Sequence, residues 1–431
     1  MRFLLCLALL GIPASHAVAA EPSAKFTAFD LDRSRGMLGM ARDEVVKQFY
    51  DPERVGPDFI AECKRVHEAL ASAKSNDAAL MMIAQPFLNI GDSHTRFIPP
   101  ARMAEVDHRW KFHAIGPDVY VSEVEKGSDA EKQGLRVGDK LLNLDGLAPT
   151  RQNAALMRYM LYGLAPRTGM SLIVQAPGQE PRQLDIKGAI RAGTRLREFR
   201  NDRDYAELEE KSVNENLKLR SRFAELPGNI LVWKLREFDF EKIAPGLTKA
   251  AAAKVVVLDL RGNPGGLVRA TEDMLNAFFS DDFEAFTMKS RKKSEVTRVK
   301  GKGTFTGTLL VLIDHSSASA SEVFARTVQM RQRGVLIGDR TAGALTTAMY
   351  YPQALGTPQK FTAFGVYVAI SSFVMADGTV VEGKGVTPDY QVLPTHAQLY
   401  AGHDLVLAQA LALVGHKITP EAAGKLIPPL E

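Results

Sequence analysis

The chain has 431 residues, and at about 150 residues per domain that length predicts about three domains with room for a sizeable core. Hydrophobic content of 45% and charged content of 24% lie in the ordinary globular range and exclude wholesale disorder. Lys+Arg 54 against Asp+Glu 50 gives +4 spread over the whole length, which excludes the concentrated basic footprint of nucleic-acid binding, and two cysteines exclude a disulfide scaffold.

Residues 1–20 have the order of a secretory signal. Arg2 supplies a positive start, Phe3 to Ile12 is an apolar run of ten, Pro13 breaks it, and Ala17-Val18-Ala19-Ala20 offers a small-residue cleavage site. Ten apolar residues fall short of the roughly 20 that span a membrane. The expectation is export to the periplasm or beyond, with cleavage after Ala19 or Ala20. Losing Arg2 takes the charge from +4 to +3 and leaves Cys63 as the one thiol, so no internal disulfide is expected. No later segment predicts a transmembrane helix, so the mature chain is expected to be soluble with no membrane span.

Residues 21–106 predict a helical domain. Met37, Met40, Ala41, Val45, Val46 and Phe49 recur at three-to-four spacing, as do Phe59, Cys63, Val66 and Leu70, and Ala78 to Leu88 is a third apolar stretch. A strand or loop is expected around Gly91 to Phe97 before Pro99-Pro100 closes the region.

Residues 107–190 change character. Val119, Val121 and Val124 predict a strand, and Gly127-Ser128-Asp129-Ala130 leads into a short helix ending at Gly134-Leu135. A turn at Val137-Gly138-Asp139 opens a strand that closes at Asp145-Gly146, then come a helix over Gln152–Tyr162 and strands at Ser171–Val174 and Gln183–Ile186. The Gly127 to Gly146 stretch resembles a PDZ domain of the bacterial protease type. Such a module implies binding of an extended peptide by strand addition, or else service as a spacer. Its carboxylate-binding loop is expected before the first strand, where this chain has Lys111-Phe112-His113-Ala114-Ile115-Gly116.

Residues 191–228 interleave charges of both signs (Arg195, Arg197, Glu198, Arg200, Asp202, Arg203, Asp204), as a solvated connecting segment or surface helix does. Residues 229–431 then alternate. Strands are predicted at Ile230–Trp233, Val255–Leu260, Leu309–Ile313 and Val335–Ile337, and helices at Phe240–Ala253, Gly266–Phe279 and Ser319–Gln332. Continuous apolar strands between helices predict a parallel sheet covered on both faces. Antiparallel segments at Ala348–Tyr351, Lys360–Phe364 and Val366–Ser371 finish the domain. The fold class is thus multidomain α/β.

Three segments carry chemistry. Asp259-Leu260-Arg261-Gly262-Asn263-Pro264-Gly265-Gly266 ends a buried strand and turns through glycines into a helix, exposing amides suited to a phosphate or an oxyanion. A phosphate-loop Lys-Ser/Thr pair is missing after Gly265-Gly266, which excludes nucleoside triphosphate binding by that motif. Ser316-Ser317-Ala318-Ser319-Ala320-Ser321-Glu322 lies at a strand-to-helix turn, the setting of a serine nucleophile; Ser319 and Glu322 also fit a capping box. The third segment is Leu88-Asn89-Ile90-Gly91-Asp92-Ser93-His94-Thr95-Arg96.

The first two motifs in this order, with Gly338-Asp339-Arg340-Thr341-Ala342-Gly343 and Gly383-Lys384-Gly385-Val386-Thr387-Pro388-Asp389, resemble the S41 peptidases, the carboxy-terminal processing and tricorn-type serine proteases. The resemblance implies an α/β core of the ClpP/crotonase type. It makes Ser319 the nucleophile and the backbone N–H groups of Gly266 and Ala320 the oxyanion donors. Processing members carry a lysine base where this chain has Ala344, in Gly343-Ala344-Leu345, and alanine cannot accept a proton. The tricorn-type branch instead implies His94 as base, with Ser93 and Glu382 completing a tetrad. His315, four residues before Ser319, is a competing base, and Lys384 belongs to a stretch that lysine-dyad members also have.

The expectation is an exported serine endopeptidase acting on peptides or on unfolded or C-terminal protein segments. A homo-oligomer or regulatory partner is left open. No cofactor and no metal are expected, since the nine histidines are scattered without metal-ligand spacing. The alternative readings are a catalytically inactive peptide-binding scaffold of the same fold and an esterase acting on non-peptide substrates.

Overall fold

The computed structural model describes residues 26–100, 104–192, 220–357 and 360–427. The predicted signal at residues 1–20 and most of the charged segment at 191–228 lie outside the described residues. Among the described residues no helix is long and apolar enough to cross a membrane. The architecture is mixed α/β, with helical layers and several sheets.

Three helices come first: Ala28–Gln48, Pro57–Ala69 and Asn76–Asn89. Thr27 caps the first through a reciprocal pair with Asp30, and Ser75 caps the third by accepting the Ala78 amide. Their apolar faces meet in a core of Met37, Leu38, Phe49, Phe59, Cys63, Ile83 and Phe87. Cys63 is a free, buried thiol, pushed up to about 12 by desolvation. That core is completed by Phe364, Val366 and Val368 from a strand far along the chain, Lys360–Met375.

This sixteen-residue strand is the structural spine. Gly365–Tyr367 pairs antiparallel with Arg96–Ile98, and Ser371–Met375 pairs antiparallel with Phe286–Ser290 of the strand Phe283–Ser290. Thr346–Thr357 runs back along its other side, and Phe283–Ser290 also pairs with Ser294–Val299. The sequence predicted the antiparallel segments as a finish to the α/β domain. They instead share one core with the N-terminal helices, because a strand this long has apolar residues enough to serve both.

A second sheet is fully antiparallel, in the order Trp110–Ile115, Asp118–Val124, Lys140–Leu144, Gly169–Gln175, Arg182–Lys187. Its core holds Trp110, Phe112, Val121, Leu141, Met157 and Leu172. Residues 111–115, expected as a loop, form its first strand, because Trp110, Phe112 and Ala114 alternate into that core while Lys111 faces out.

The third sheet has the order Tyr390–Gln391, Val335–Gly338, Thr308–Ile313, Val255–Asp259, Ile230–Lys234, Arg222–Leu226. All neighbours are parallel except the last. Arg222–Leu226 corrects the expectation of a connecting segment or surface helix there: it completes the sheet edge by pairing with Ile230–Lys234. One face buries Leu231, Trp233, Val256 and Leu258 under helices Phe240–Ala252, Val268–Phe278 and Ala320–Met330. The other buries Ile230, Val232, Val257 and Leu310 under Leu405–Leu413 and Pro420–Leu426.

The antiparallel sheet is pinned to the parallel one by a buried ion pair. Arg151 Nη1 donates to Asp339 Oδ2 at 2.6 Å, with side-chain exposures of 9% and 8%. The same oxygen accepts the Gly116 amide at 2.8 Å, and Arg151 also donates to the Arg340 carbonyl. Removing one partner leaves a buried charge uncompensated, so Arg151→Met is expected to destabilise the protein by roughly 3–5 kcal/mol, read as a lowered denaturant midpoint. Adding Asp339→Leu should recover part of that loss, because the stranded carboxylate is gone.

Candidate active site

The two glycine- and serine-rich turns meet at the ends of adjacent parallel strands, Val255–Asp259 and Thr308–Ile313. Asn263, fully buried, stitches them together. Its Oδ1 accepts the Gly265 amide at 2.8 Å, its Nδ2 donates to the Leu235 carbonyl at 3.0 Å, and its own carbonyl accepts the Ala318 amide at 3.0 Å. The contact is close enough that a Cβ on Gly265 would lie 2.7 Å from Ser319 Cβ, and one on Gly266 would lie 2.2 Å from the Phe238 carbonyl oxygen. With φ of +112° and +144°, both positions require glycine.

The serines of the run have different fates. Ser317 Oγ donates to the Leu260 carbonyl at 2.9 Å and Ser321 Oγ to the Asn263 carbonyl at 3.1 Å, so both hold the turn. Ser319 sits in the left-handed region at φ 53° and ψ −116°, immediately before helix Ala320–Met330, and lines a cavity of about 200 Å³. A non-glycine residue held in that region marks a strained turn of the kind that presents a nucleophile. Glu322 accepts the Ser319 amide at 3.1 Å, so the capping-box partner is engaged even though the serine faces a cavity.

Gly266, Ala320 and His94 line the same cavity. The Gly266 amide stands between two bonded neighbours: Phe238 N–H reaches the Gly265 carbonyl at 2.8 Å, and Leu267 N–H reaches the Phe238 carbonyl at 2.7 Å. Ala320 is the first residue of its helix, where an amide has no intrahelical acceptor. Val268, Phe286, Val323, Leu345 and Phe373 give the cavity apolar walls.

His94 arrives from the other end of the chain. The pairing of Arg96–Ile98 with Gly365–Tyr367 delivers the preceding turn to this place. Asp92 shapes that turn: its Oδ1 accepts the His94 amide at 3.0 Å, the Thr95 amide at 2.8 Å and the Thr95 hydroxyl at 3.0 Å. Thr95 Oγ1 in turn accepts the Ala369 amide at 3.0 Å. Ser93 Oγ lies 2.7 Å from His94 Nδ1 and donates to Glu382 Oε2 at 3.0 Å, while the Ser93 amide donates to Glu382 Oε1 at 2.8 Å.

A hydroxyl has one proton. Since that of Ser93 goes to Glu382, its oxygen accepts from His94, which puts the imidazole proton on Nδ1 and leaves Nε2 as the basic nitrogen. Burial pushes the imidazole below its ordinary value against the pull of the Asp92 carboxylate, so it is neutral near pH 7. Burial also raises the Glu382 carboxyl, opposed by the Ser93 and Leu345 amides that bond to it.

All six residues singled out in the sequence, Ser93, His94, Gly266, Ser319, Ala320 and Glu382, come together here. The competing histidine does not line the cavity. Burial, with Arg151 nearby, pushes His315 down to about 4, and its buried Nδ1 has no protein partner. Lys384 is exposed. Asn263, Asp92 and the wall residues Phe286 and Phe373 were given no role from sequence. Phe286 was hidden because a bulge between Glu284 and Phe286 buries Ala285 and Phe286 in succession and breaks the period-two signal.

Residues 230–392 match the model of peptidase family S41. Carboxyl-terminal-processing peptidase 1, chloroplastic, of Arabidopsis thaliana is 24% identical over 348 residues, covering 77% of this chain and 66% of that protein. The carboxy-terminal-processing protease of Bartonella bacilliformis is 32% identical over 166 residues, 38% of this chain and 36% of its own. The chain therefore spans less than two thirds of the length of these two relatives. Mature CPAF shares the fold, with a TM-score of 0.63 at 13% identity over 86% of this chain and 95% of that one. The segment that carries Gly266, Ser319 and Glu382 is thus similar to peptidase family S41, whose carboxyl-terminal-processing members are serine hydrolases.

Proposed function

We propose that the protein is an exported serine endopeptidase that cleaves peptides, or unfolded and C-terminal protein segments, through an acyl-enzyme at Ser319. The observation that carries this reading is the hydrogen-bonded line from Glu382 through Ser93 to His94, ending at the cavity that Ser319 lines. It supplies a neutral imidazole, held in one tautomer, in a chain that has Ala344 where processing members carry a lysine base.

Ser319 Oγ attacks the scissile carbonyl carbon as His94 Nε2 takes its proton. The carbonyl π pair moves onto oxygen, where the amides of Gly266 and Ala320 stabilise the charge. Collapse breaks the C–N bond, and the departing amine leaves with the proton from His94. Water, deprotonated by the same nitrogen, then cleaves the ester and restores Ser319. Through Ser93, the Glu382 carboxylate favours the imidazolium formed in each half-reaction.

The antiparallel sheet over 110–187 is read as a PDZ-like module that holds or gates the substrate chain, and the α/β core as the ClpP/crotonase type. Domains at 21–106, 107–190 and 229–431 belong to the same reading, as does removal of residues 1–20 on export.

A fluorophosphonate should label the mature protein, and Ser319→Ala should abolish labelling. His94→Ala should slow peptide turnover by about 10²–10⁴-fold, the scale of lost general-base assistance. Peptide binding with no labelling of the native protein would show an inactive scaffold instead, and loss in His315→Ala with retention in His94→Ala would move the base.

The base works only when neutral, so kcat/KM should rise with pH through the His94 pKa and fall away as pH drops below it. Because burial lowers that pKa, the acid limb should lie below the ordinary imidazole value. A limb displaced above that value would assign the titration to another group.

A further inference from the structure

Glu322 is completely buried in the first turn of helix Ala320–Met330, yet every contact of its carboxylate leads out of the helix. Its Oε1 accepts the Thr341 hydroxyl at 2.5 Å and the Gly343 amide at 2.7 Å. Its Oε2 accepts the Ala344 amide at 2.8 Å and the Ser319 amide at 3.1 Å. The Ser319 amide is shared with the Ala344 carbonyl at 2.9 Å. The next residue along is gripped from the opposite side, where Leu345 N–H donates to Glu382 Oε2 at 2.6 Å and Gly383 N–H donates to the Gly343 carbonyl at 2.8 Å.

We infer that Glu322 is a positioning residue for the reaction, holding Ser319 in register with His94 through the segment 343–345, which two carboxylates clamp between them. The inference rests on the reading of Ser319 as nucleophile. The path is continuous: Glu322 holds the amides of Ser319 and Ala344, Leu345 follows in the chain, and Glu382 holds both the Leu345 amide and Ser93, on which His94 rests. Residue 344, where the family resemblance places a lysine, thus acts through its main chain. A serine at φ 53° relaxes toward ordinary backbone unless its amide is held, and relaxation would shift Oγ within the cavity it shares with His94. A helix cap alone does not require the carboxylate to gather two amides of another loop.

The test compares Glu322→Gln with Thr341→Val. The amide removes an acceptor that the Ser319–Gly343–Ala344 set needs. Thr341→Val also cuts a buried bond to the same carboxylate, and an acceptor for the Val386 amide, but leaves the Oε2 pair intact. Glu322→Gln should slow fluorophosphonate labelling and kcat by on the order of 10²-fold with KM little changed, the cost of about an ångström of misplacement. Thr341→Val should lower the thermal midpoint comparably and slow labelling far less. Should Glu322→Gln fail to fold, Glu322→Asp, which keeps the charge and withdraws the oxygens, is read in its place. In either Glu322 variant, hydrogen exchange of segments 317–321 and 343–345 should accelerate ahead of the rest of the helix.

Equal slowing in both variants in proportion to thermal loss, or unchanged labelling in the Glu322 variants, overturns the inference. So does unchanged exchange. A native protein that never labels, but whose exchange responds as described, instead overturns the assignment of Ser319 on which the inference rests, and leaves Glu322 only a structural clamp on segments 317–321 and 343–345.

Discussion

The single proton of the Ser93 hydroxyl sets the chemistry of the whole cavity. Spent on Glu382, it forces the oxygen to accept from His94, and the imidazole has to present its bare nitrogen on the other side. One partner, His94, is the next residue, but the other comes from far along the chain: Ser93 and Glu382 are 289 positions apart. The fold has to hold that separation closed to within a hydrogen-bond length, since a serine lodged between a base and a carboxylate works only if both distances stay short at once.

The strand Lys360–Met375 meets this demand. Its first half belongs to the core of the N-terminal helices and its second half to the sheet that packs on the α/β layers. Glu382 follows soon after it, while Arg96–Ile98, just beyond His94, hydrogen-bonds along it. His94 and Glu382 are thus both tied to one long strand, and Ser319 to a second element, the parallel sheet. The segment 343–345 joins the two, bonded to Glu322 on one side and to Glu382 on the other. Positioning by continuous secondary structure explains why residues from the two ends of the chain can share a cavity of about 200 Å³.

Much of this was legible beforehand, for physical reasons that can be named. Helices with three-to-four apolar spacing and continuous apolar strands, such as Val255–Asp259 and Thr308–Ile313, announce themselves because burial alone dictates their pattern. The glycine turn and the serine run were legible because close approach leaves few residue choices. Missed were Arg222–Leu226, hidden by flanking charges at a sheet edge, and Phe283–Ser290, hidden by its bulge. The residues 111–115 were read through an expected loop and not through their own alternation. Least legible were roles defined by convergence. Asn263, Asp92 and Glu322 gather donors from several turns, and nothing in local spacing reports which backbone groups will face them.

The thiol of Cys63 lies packed between helices Ala28–Gln48, Pro57–Ala69 and Asn76–Asn89, and with its pKa pushed up to about 12 it stays protonated across the physiological range. Alkylating reagents therefore find no sulfur to attack while the helices stay together. With the proposed removal of residues 1–20, and Cys6 with them, the chain would carry a native reporter of its own melting: modification of that one sulfur would register the parting of the helical layer, unmixed with covalent chemistry at the cavity.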